Sequence, residues 1–246
     1  MENCKNCGHQ FDGQFCNLCG QQVFISPFNV KNFLREDVRN DFLGYQSGYL
    51  YTFRNLLFRP GHAINEYLLG KRIKYVGPFA FLIGSTALME LIESSSGLNK
   101  LYPPAPEFSN VFAKINNFLL NDPKWLFLFT VPIFAWVSSR VFKKTGVAFG
   151  DHFQNHMFAI AMTGIIPVLC ALPAVLNPSP EYFRSLMTLG TLVALVYYIF
   201  LCFQLYRPYI KPSGELLWRS VVCTLLGNVI TFMIFIALFV LENVLG

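Results

Sequence analysis

Residues 157–176 read MFAIAMTGIIPVLCALPAVL, a stretch without a single charge. A helix needs roughly 20 such residues to cross a hydrocarbon core about 30 Å thick, so this run reads as a membrane span. Gly164, Pro167 and Pro173 interrupt it, and a kinked or partly broken helix is expected because proline supplies no amide hydrogen to the helical ladder. Four further apolar runs lie on either side, at residues 76–92, 125–142, 186–206 and 220–241. The first is short and carries Glu90 and Glu93 near its far end. The second contains Pro132 and ends at Arg140, whose long side chain can reach an interface. The last contains one amide, Asn228. The fold class expected is therefore an all-α polytopic membrane protein with about five transmembrane helices.

Composition agrees. Of 246 residues, 54% are hydrophobic and 13% charged, with a mean hydropathy of +0.43. Soluble domains average roughly 25% charged residues, so an ordinary soluble enzyme and a disordered tail are both excluded. The net charge of +5 is too small to indicate a nucleic-acid partner. It suits basic loops beside a bilayer.

The chain divides into three parts: 1–22, 23–75 and 76–246. The first contains Cys4-Lys5-Asn6-Cys7-Gly8 and Cys16-Asn17-Leu18-Cys19-Gly20, two C-x-x-C-G knuckles around a Phe11-Asp12-Gly13 turn. Cys4, Cys7, Cys16 and Cys19 are the expected ligands of one structural zinc ion, a closed tetrahedral site with no position left for a reacting water. Two disulfides are the alternative use of four cysteines. So short a ribbon buries almost no core, so metal binding must supply most of its folding free energy. His9 reads as a surface residue. Cys170, Cys202 and Cys223 sit singly in apolar runs and read as small apolar side chains.

Residues 23–75 mix aromatic and charged positions without an apolar run of spanning length. Phe28, Val30, Phe33, Leu34 and Val38 recur at three- and four-residue spacing, predicting an amphipathic helix that starts near Ser26-Pro27. Further helices are expected from Tyr49 to Phe58, stopped by Arg59-Pro60-Gly61, and from His62 to Leu69, stopped by Gly70. Arg59, Lys71, Arg72 and Lys74 are candidate contacts for anionic lipid headgroups and determinants of topology. A long loop from 94 to 124 contains the stiff Tyr102-Pro103-Pro104-Ala105-Pro106 stretch and a short helix expected near Val111 to Leu120.

Basic residues set the orientation. Nine precede the first span, three lie in 140–156 and three in 207–219, against four in the intervening loops on the other side. That bias predicts a cytoplasmic N-terminus and a C-terminus on the opposite side. The same placement keeps the four thiols in a reducing compartment, where zinc thiolate is favoured over disulfide.

Ionisable and polar groups beside spans are functional candidates by default. Glu90 and Glu93 share a helix face. In Asp151-His152-Phe153-Gln154-Asn155-His156, the histidines stand at i and i+4, a spacing that serves a metal or a proton, and interfacial residues at a helix start, with Asp151 as N-cap, are the plainer reading. For Asn228 a hydrogen bond to another helix is expected. No phosphate loop, nucleophile elbow or dinucleotide fingerprint is present, so no enzyme is expected.

The double ribbon ending Cys19-Gly20-Gln21, followed by Thr52-Phe53-Arg54-Asn55-Leu56-Leu57-Phe58-Arg59-Pro60-Gly61, Tyr67-Leu68-Leu69-Gly70-Lys71-Arg72 and Tyr75-Val76-Gly77-Pro78, resembles an uncharacterised bacterial membrane-protein family with an N-terminal zinc ribbon, a domain of unknown function. The resemblance implies an inner-membrane location and no known activity. The five-span plan is also similar in topology to the Yip1-like membrane proteins. Two functions are carried forward, with a membrane-embedded enzyme resting on His152 and His156 as a third. One is a scaffold that binds a protein partner through the ribbon, with a homo-oligomer in view. The other is a small transporter or channel using Glu90, His156 and Asn228.

Overall fold

A computed structural model describes residues 2–22, 45–101, 123–211 and 213–245. The amphipathic helix expected over 28–38 and the loop features expected over 102–120 lie outside these residues. Strands β1 (Glu2–Asn3) and β2 (Gln10–Phe11) pair antiparallel, with Asn3 opposite Gln10. Twelve residues on, Phe15 bridges Gln22 in the same sense, so the ribbon consists of two equivalent hairpins.

Seven α-helices follow among the described residues: α1 (Tyr45–Phe58), α2 (Pro60–Leu68), α3 (Pro78–Ser96), α4 (Pro123–Val141), α5 (Phe149–Ala171), α6 (Pro180–Tyr206) and α7 (Ser213–Leu245). Local chemistry sets their ends. Pro60, Pro78 and Pro180 sit at helix starts, where a missing amide hydrogen costs nothing. Ser179 caps α6 by accepting from the Tyr182 amide at 3.5 Å. Gly97 ends α3 at φ +71°, a conformation that penalises a side chain. The Arg59-Pro60-Gly61 break falls where the sequence places it, but Pro60 and Gly61 open α2 instead of forming a separate turn.

Among the described residues, three helical stretches are long and apolar enough to cross a membrane: Phe149–Val175, Pro180–Tyr206 and Ser213–Ile234. At 1.5 Å per residue, the 27 residues of α6 extend about 40 Å, more than the hydrocarbon thickness. Leu189, Leu192, Val193, Val196 and Phe200 of α6 are exposed, as are Leu225, Val229, Phe232 and Met233 of α7. Apolar exposure of this extent marks surface that does not face water. Helix α5 is central, packed on α3, α4 and α6. It runs unbroken through Pro167, and the regular helix gives way only at the 3₁₀ turn Leu172–Val175, which contains Pro173. Gly190 lets α6 approach α5 closely: a methyl group there would lie 2.6 Å from Pro167 Cα.

The two ends of the helical body differ. At one end, the Gly61 amide donates to Gln204 Oε1 (3.2 Å) and Asn65 Nδ2 to the Leu205 carbonyl (3.1 Å). Phe142 stacks on Tyr206 with centroids 3.8 Å apart, Arg219 donates to the Val141 carbonyl, and Lys144 pairs with Glu215 at 3.9 Å. At the other end, Leu98, Ala171, Ala174 and Phe183 form a separate apolar cluster. The basic segments around 59–72, 140–144 and 207–219 therefore gather at one end.

Candidate functional site: a cysteine cluster and a buried histidine pair

Each cysteine knuckle is closed by the same pair of backbone bonds. The Cys4 amide donates to the His9 carbonyl and the Gly8 amide to Cys4, while Cys16 donates to Gln21 and Gly20 to Cys16, all at 2.8–2.9 Å. Gly8 and Gly20 adopt φ +77° and +74°, the left-handed conformation that lets each knuckle turn its amides toward sulfur. The four Sγ atoms lie within 4.8 Å of one another, with Cys4–Cys19 at 3.5 Å and Cys7–Cys16 at 3.7 Å. A tetrahedral ion with bonds of about 2.3 Å to sulfur requires edges of about 3.8 Å, so the cluster fits one metal ion. His9 is exposed, and only its carbonyl serves the knuckle.

The thiols are electrostatically unequal. Burial opposes the Cys4 thiolate, but hydrogen bonds from the Cys7 and Asn6 amides and the thiols of Cys19 and Cys7 outweigh it, bringing Cys4 down to about 7. At Cys7 the amide of His9 favours the thiolate, yet burial and the neighbouring sulfurs Cys19, Cys16 and Cys4 push it up to about 12. Four sulfurs this close cannot all ionise unless a cation sits among them.

The ribbon is fastened to the helices through the Gln21 side chain. Gln21, which is buried, donates through Nε2 to the Gly70 carbonyl and accepts the Arg72 amide at 3.3 Å. Its own carbonyl takes the Cys16 amide, so the second knuckle and the clamp share a residue. Around this loop Glu66 accepts from Tyr75 Oη (2.7 Å) and pairs with Arg59 (3.7 Å) and Lys71 (3.8 Å). Burial and that bond to Glu66 hold the Tyr75 phenol well above its ordinary range. Arg72 lies over the Tyr67 ring at 4.8 Å and Lys74 over Tyr51 at 5.9 Å. The four cations read as lipid contacts thus all have protein partners as well, and Arg59, Lys71 and Lys74 remain exposed.

The histidines are buried inside the helical body rather than solvated. Helix α5 starts at Phe149 with Ala148 as N-cap, so Asp151 lies in the first turn and caps nothing. His152 and His156 are 1% and 0% exposed. Both converge on one hydroxyl: Ser138 Oγ of α4 lies 2.9 Å from His152 Nδ1 and 2.7 Å from His156 Nε2. Tyr206 Oη is 2.8 Å from His152 Nδ1, and Tyr198 Oη is 3.2 Å from His156 Nδ1. The rings of Phe134 and Tyr198 flank His156. Polar residues at 152–156 lower local hydropathy and make the run seem to begin at Met157. Partners on α4 and α6 allow the same residues to be buried.

The remaining candidates lie elsewhere. Glu90 is exposed and Glu93 half-buried on α3, and Asn228 is exposed, donating to the Thr224 carbonyl of its own helix at 2.8 Å rather than to a neighbouring helix. Glu90 and Asn228 therefore do not share the interior that holds His156. Sequence reasoning missed Ser138, Tyr198, Tyr206 and Gln21. Of these, only the polar stripe 152, 155, 156 at helical spacing gave a signal, and it pointed to a facing partner without naming one.

Residues 47–89 match the family described as Protein of unknown function (DUF3667). No curated protein and no solved structure matches the chain, and nothing supports the likeness to Yip1-like proteins. Side-chain bonds tie distant parts of the matched region together. Within it, Thr52 donates to the Gly48 carbonyl and accepts the Val76 amide (2.8 and 2.9 Å), and Tyr49 bonds Ser85 (2.7 Å).

Proposed function

We propose that this chain is a bacterial inner-membrane protein in which α3 to α7 all cross the bilayer, with the N-terminus cytoplasmic and the C-terminus on the opposite side. The ribbon holds one structural zinc ion and presents a docking surface to a protein partner. A single observation carries the reading: the ribbon, clamped through Gln21 to Gly70 and Arg72, lies at the same end as the basic segments. The positive-inside rule assigns that end to the cytoplasm. Exposed Lys71 and Lys74 would face anionic headgroups there, and further copies of the chain could assemble through the lipid-facing helices. A closed tetrathiolate site supports structure rather than turnover, so the role is not enzymatic. The test is affinity capture of partners by wild type and by Cys16→Ser, with membrane insertion verified in both. Loss of partners only in the variant supports docking through the ribbon, whereas an unchanged set rejects it.

A second reading, a small transporter or channel, is favoured by the histidine pair inside the bundle. It expects flux in reconstituted vesicles that His156→Ala abolishes. The exposed positions of Glu90 and Asn228 move the expected pathway away from them, so Glu90→Gln should leave that flux intact.

A further inference from the structure

The histidine cluster contains one group that the hydrogen-bond chain does not absorb. Asn155 is 1% exposed, yet neither its Nδ2 nor its Oδ1 has a partner among the described residues. It stands on the same α5 face as His152 and His156, at i+3 from one and adjacent to the other, and close enough to the Tyr206 hydroxyl to interact with it, though without the geometry of a full hydrogen bond. A primary amide left without partners in a dry interior is costly, and such groups in folded proteins are generally satisfied by water or a ligand.

The neighbouring chemistry defines what would satisfy it. Tyr198, His156, Ser138, His152 and Tyr206 form a continuous chain across α4, α5 and α6. Its members are hydroxyls and imidazoles, and Asn155 adds an amide. None carries a permanent charge, so the set offers no counter-ion to a bound ion. The Asn155 amide presents one donor end and one acceptor end, which a single small molecule with both functions can meet. With His152 Nδ1 as acceptor, the chain has two polarities. If Tyr206 donates to His152 Nδ1, Ser138 is left to donate to His156 or to the Ala135 carbonyl at 3.1 Å. If Ser138 donates to His152, the Tyr206 proton requires another acceptor. A guest beside Asn155 supplies it, and so selects the tautomer of His156, whose Nε2 must then donate to Ser138, while His152 Nδ1 accepts in both cases.

We infer that the face formed by His152, Asn155 and His156, with Ser138 and Tyr206, is a buried binding site for a small uncharged molecule that both donates and accepts hydrogen bonds, either water or the hydroxyl group of a solute. This site is independent of the ribbon and of the docking reading.

The experiment uses the full-length protein in lipid bilayers with ¹⁵N-labelled asparagine and histidine. Magnetisation transfer from water to the Asn155 side chain and the His152 ring identifies water as the guest. Shifts of the His152 and His156 ring signals on addition of glycerol identify a solute hydroxyl. Either response is read on the wild-type protein, so it does not depend on a variant folding. Alongside it, Asn155→Leu separates a satisfied amide from an orphan: a satisfied amide makes the variant melt about 3–10 °C lower than wild type. Both an NMR response and the lower melting temperature are expected. An unchanged or higher melting temperature for Asn155→Leu overturns the site, and so does a lower one accompanied by neither NMR response.

Discussion

The backbone amide of Arg72 donates to the side-chain oxygen of Gln21 at 3.3 Å, joining the last turn of the ribbon to the loop before α3 across 51 residues of chain. The companion bond from Gln21 Nε2 to the Gly70 carbonyl makes the contact two-pronged. A ribbon held this way reports its own folding to the helices, since the Gln21 backbone is fixed by Cys16.

Gln21→Leu should leave the metal content unchanged, because no sulfur moves, while the Gly70 and Arg72 groups lose their partner. A bond of this kind contributes about 1 kcal/mol, so amide exchange at Arg72 should accelerate several-fold, approaching tenfold. Hydrogen-exchange mass spectrometry over 70–76 measures this. Unaltered exchange in that segment would mean that the ribbon is not held by Gln21.

Zinc uptake by the ribbon should weaken as pH falls. Binding requires thiolates, and metal-free Cys4 is ionised only above about 7 while Cys7 stays protonated to about 12. The sign follows from each shift. Cys4, depressed from 9, loses its stabilising contribution as pH falls through 7, whereas Cys7, raised from 9, favours the protonated state until the metal displaces its proton. Competition titrations at pH 6, 7 and 8 should give apparent affinities that rise with pH, with protons released on binding. A pH-independent affinity would rule out a tetrathiolate site.

The apolar runs and the cysteine spacing were readable because each depends on residues close in sequence. Hydropathy located five helices to within about five residues at most ends, although α6 and α7 begin at Pro180 and Ser213, well before the runs expected from 186 and 220, and C-x-x-C-G specified the knuckles. The eight-residue error at the start of α5 has a different origin: Asp151 to His156 look solvated until Ser138, Tyr198 and Tyr206 are brought beside them. Those partners lie up to 54 residues away and are single hydroxyls in apolar runs, which carry no local pattern. Asn228 misled in the opposite direction, since a mid-span amide can be satisfied by the carbonyl one turn back in its own helix.

Ser138→Ala should destabilise the bundle through the histidines. It removes the hydroxyl on which His152 and His156 converge and leaves buried ring nitrogens short of partners, at a cost of about 1–3 kcal/mol. The adjacent Ser139 is half-buried and among the described residues bonds the Trp136 carbonyl of its own helix, at 2.7 Å, so Ser139→Ala is the matched control and should change little. Thermal unfolding in the same detergent compares them. Equal melting temperatures for the two variants would deny the Ser138 cluster any energetic role.

Side-specific labelling tests whether α3 to α7 alternate across the bilayer. Lys144 and Lys211 lie at the end that carries the ribbon, while Ser95 and Asn177 follow or flank the opposite cluster of Leu98, Ala174 and Phe183; all four positions are exposed. Cysteines introduced at 144 and 211 should be shielded from a membrane-impermeant maleimide in intact spheroplasts and react after lysis. Those at 95 and 177 should react in intact spheroplasts. The decisive pair is 95 and 144, because only α4 separates them among the described helices. With Pro132 inside it and 19 residues in all, α4 extends about 28 Å, just enough to bridge a core of about 30 Å with its ends at the interfaces. Reaction of positions 95 and 144 from the same side would remove α4 from the set of spans and reverse the side assigned to everything that follows it or everything that precedes it.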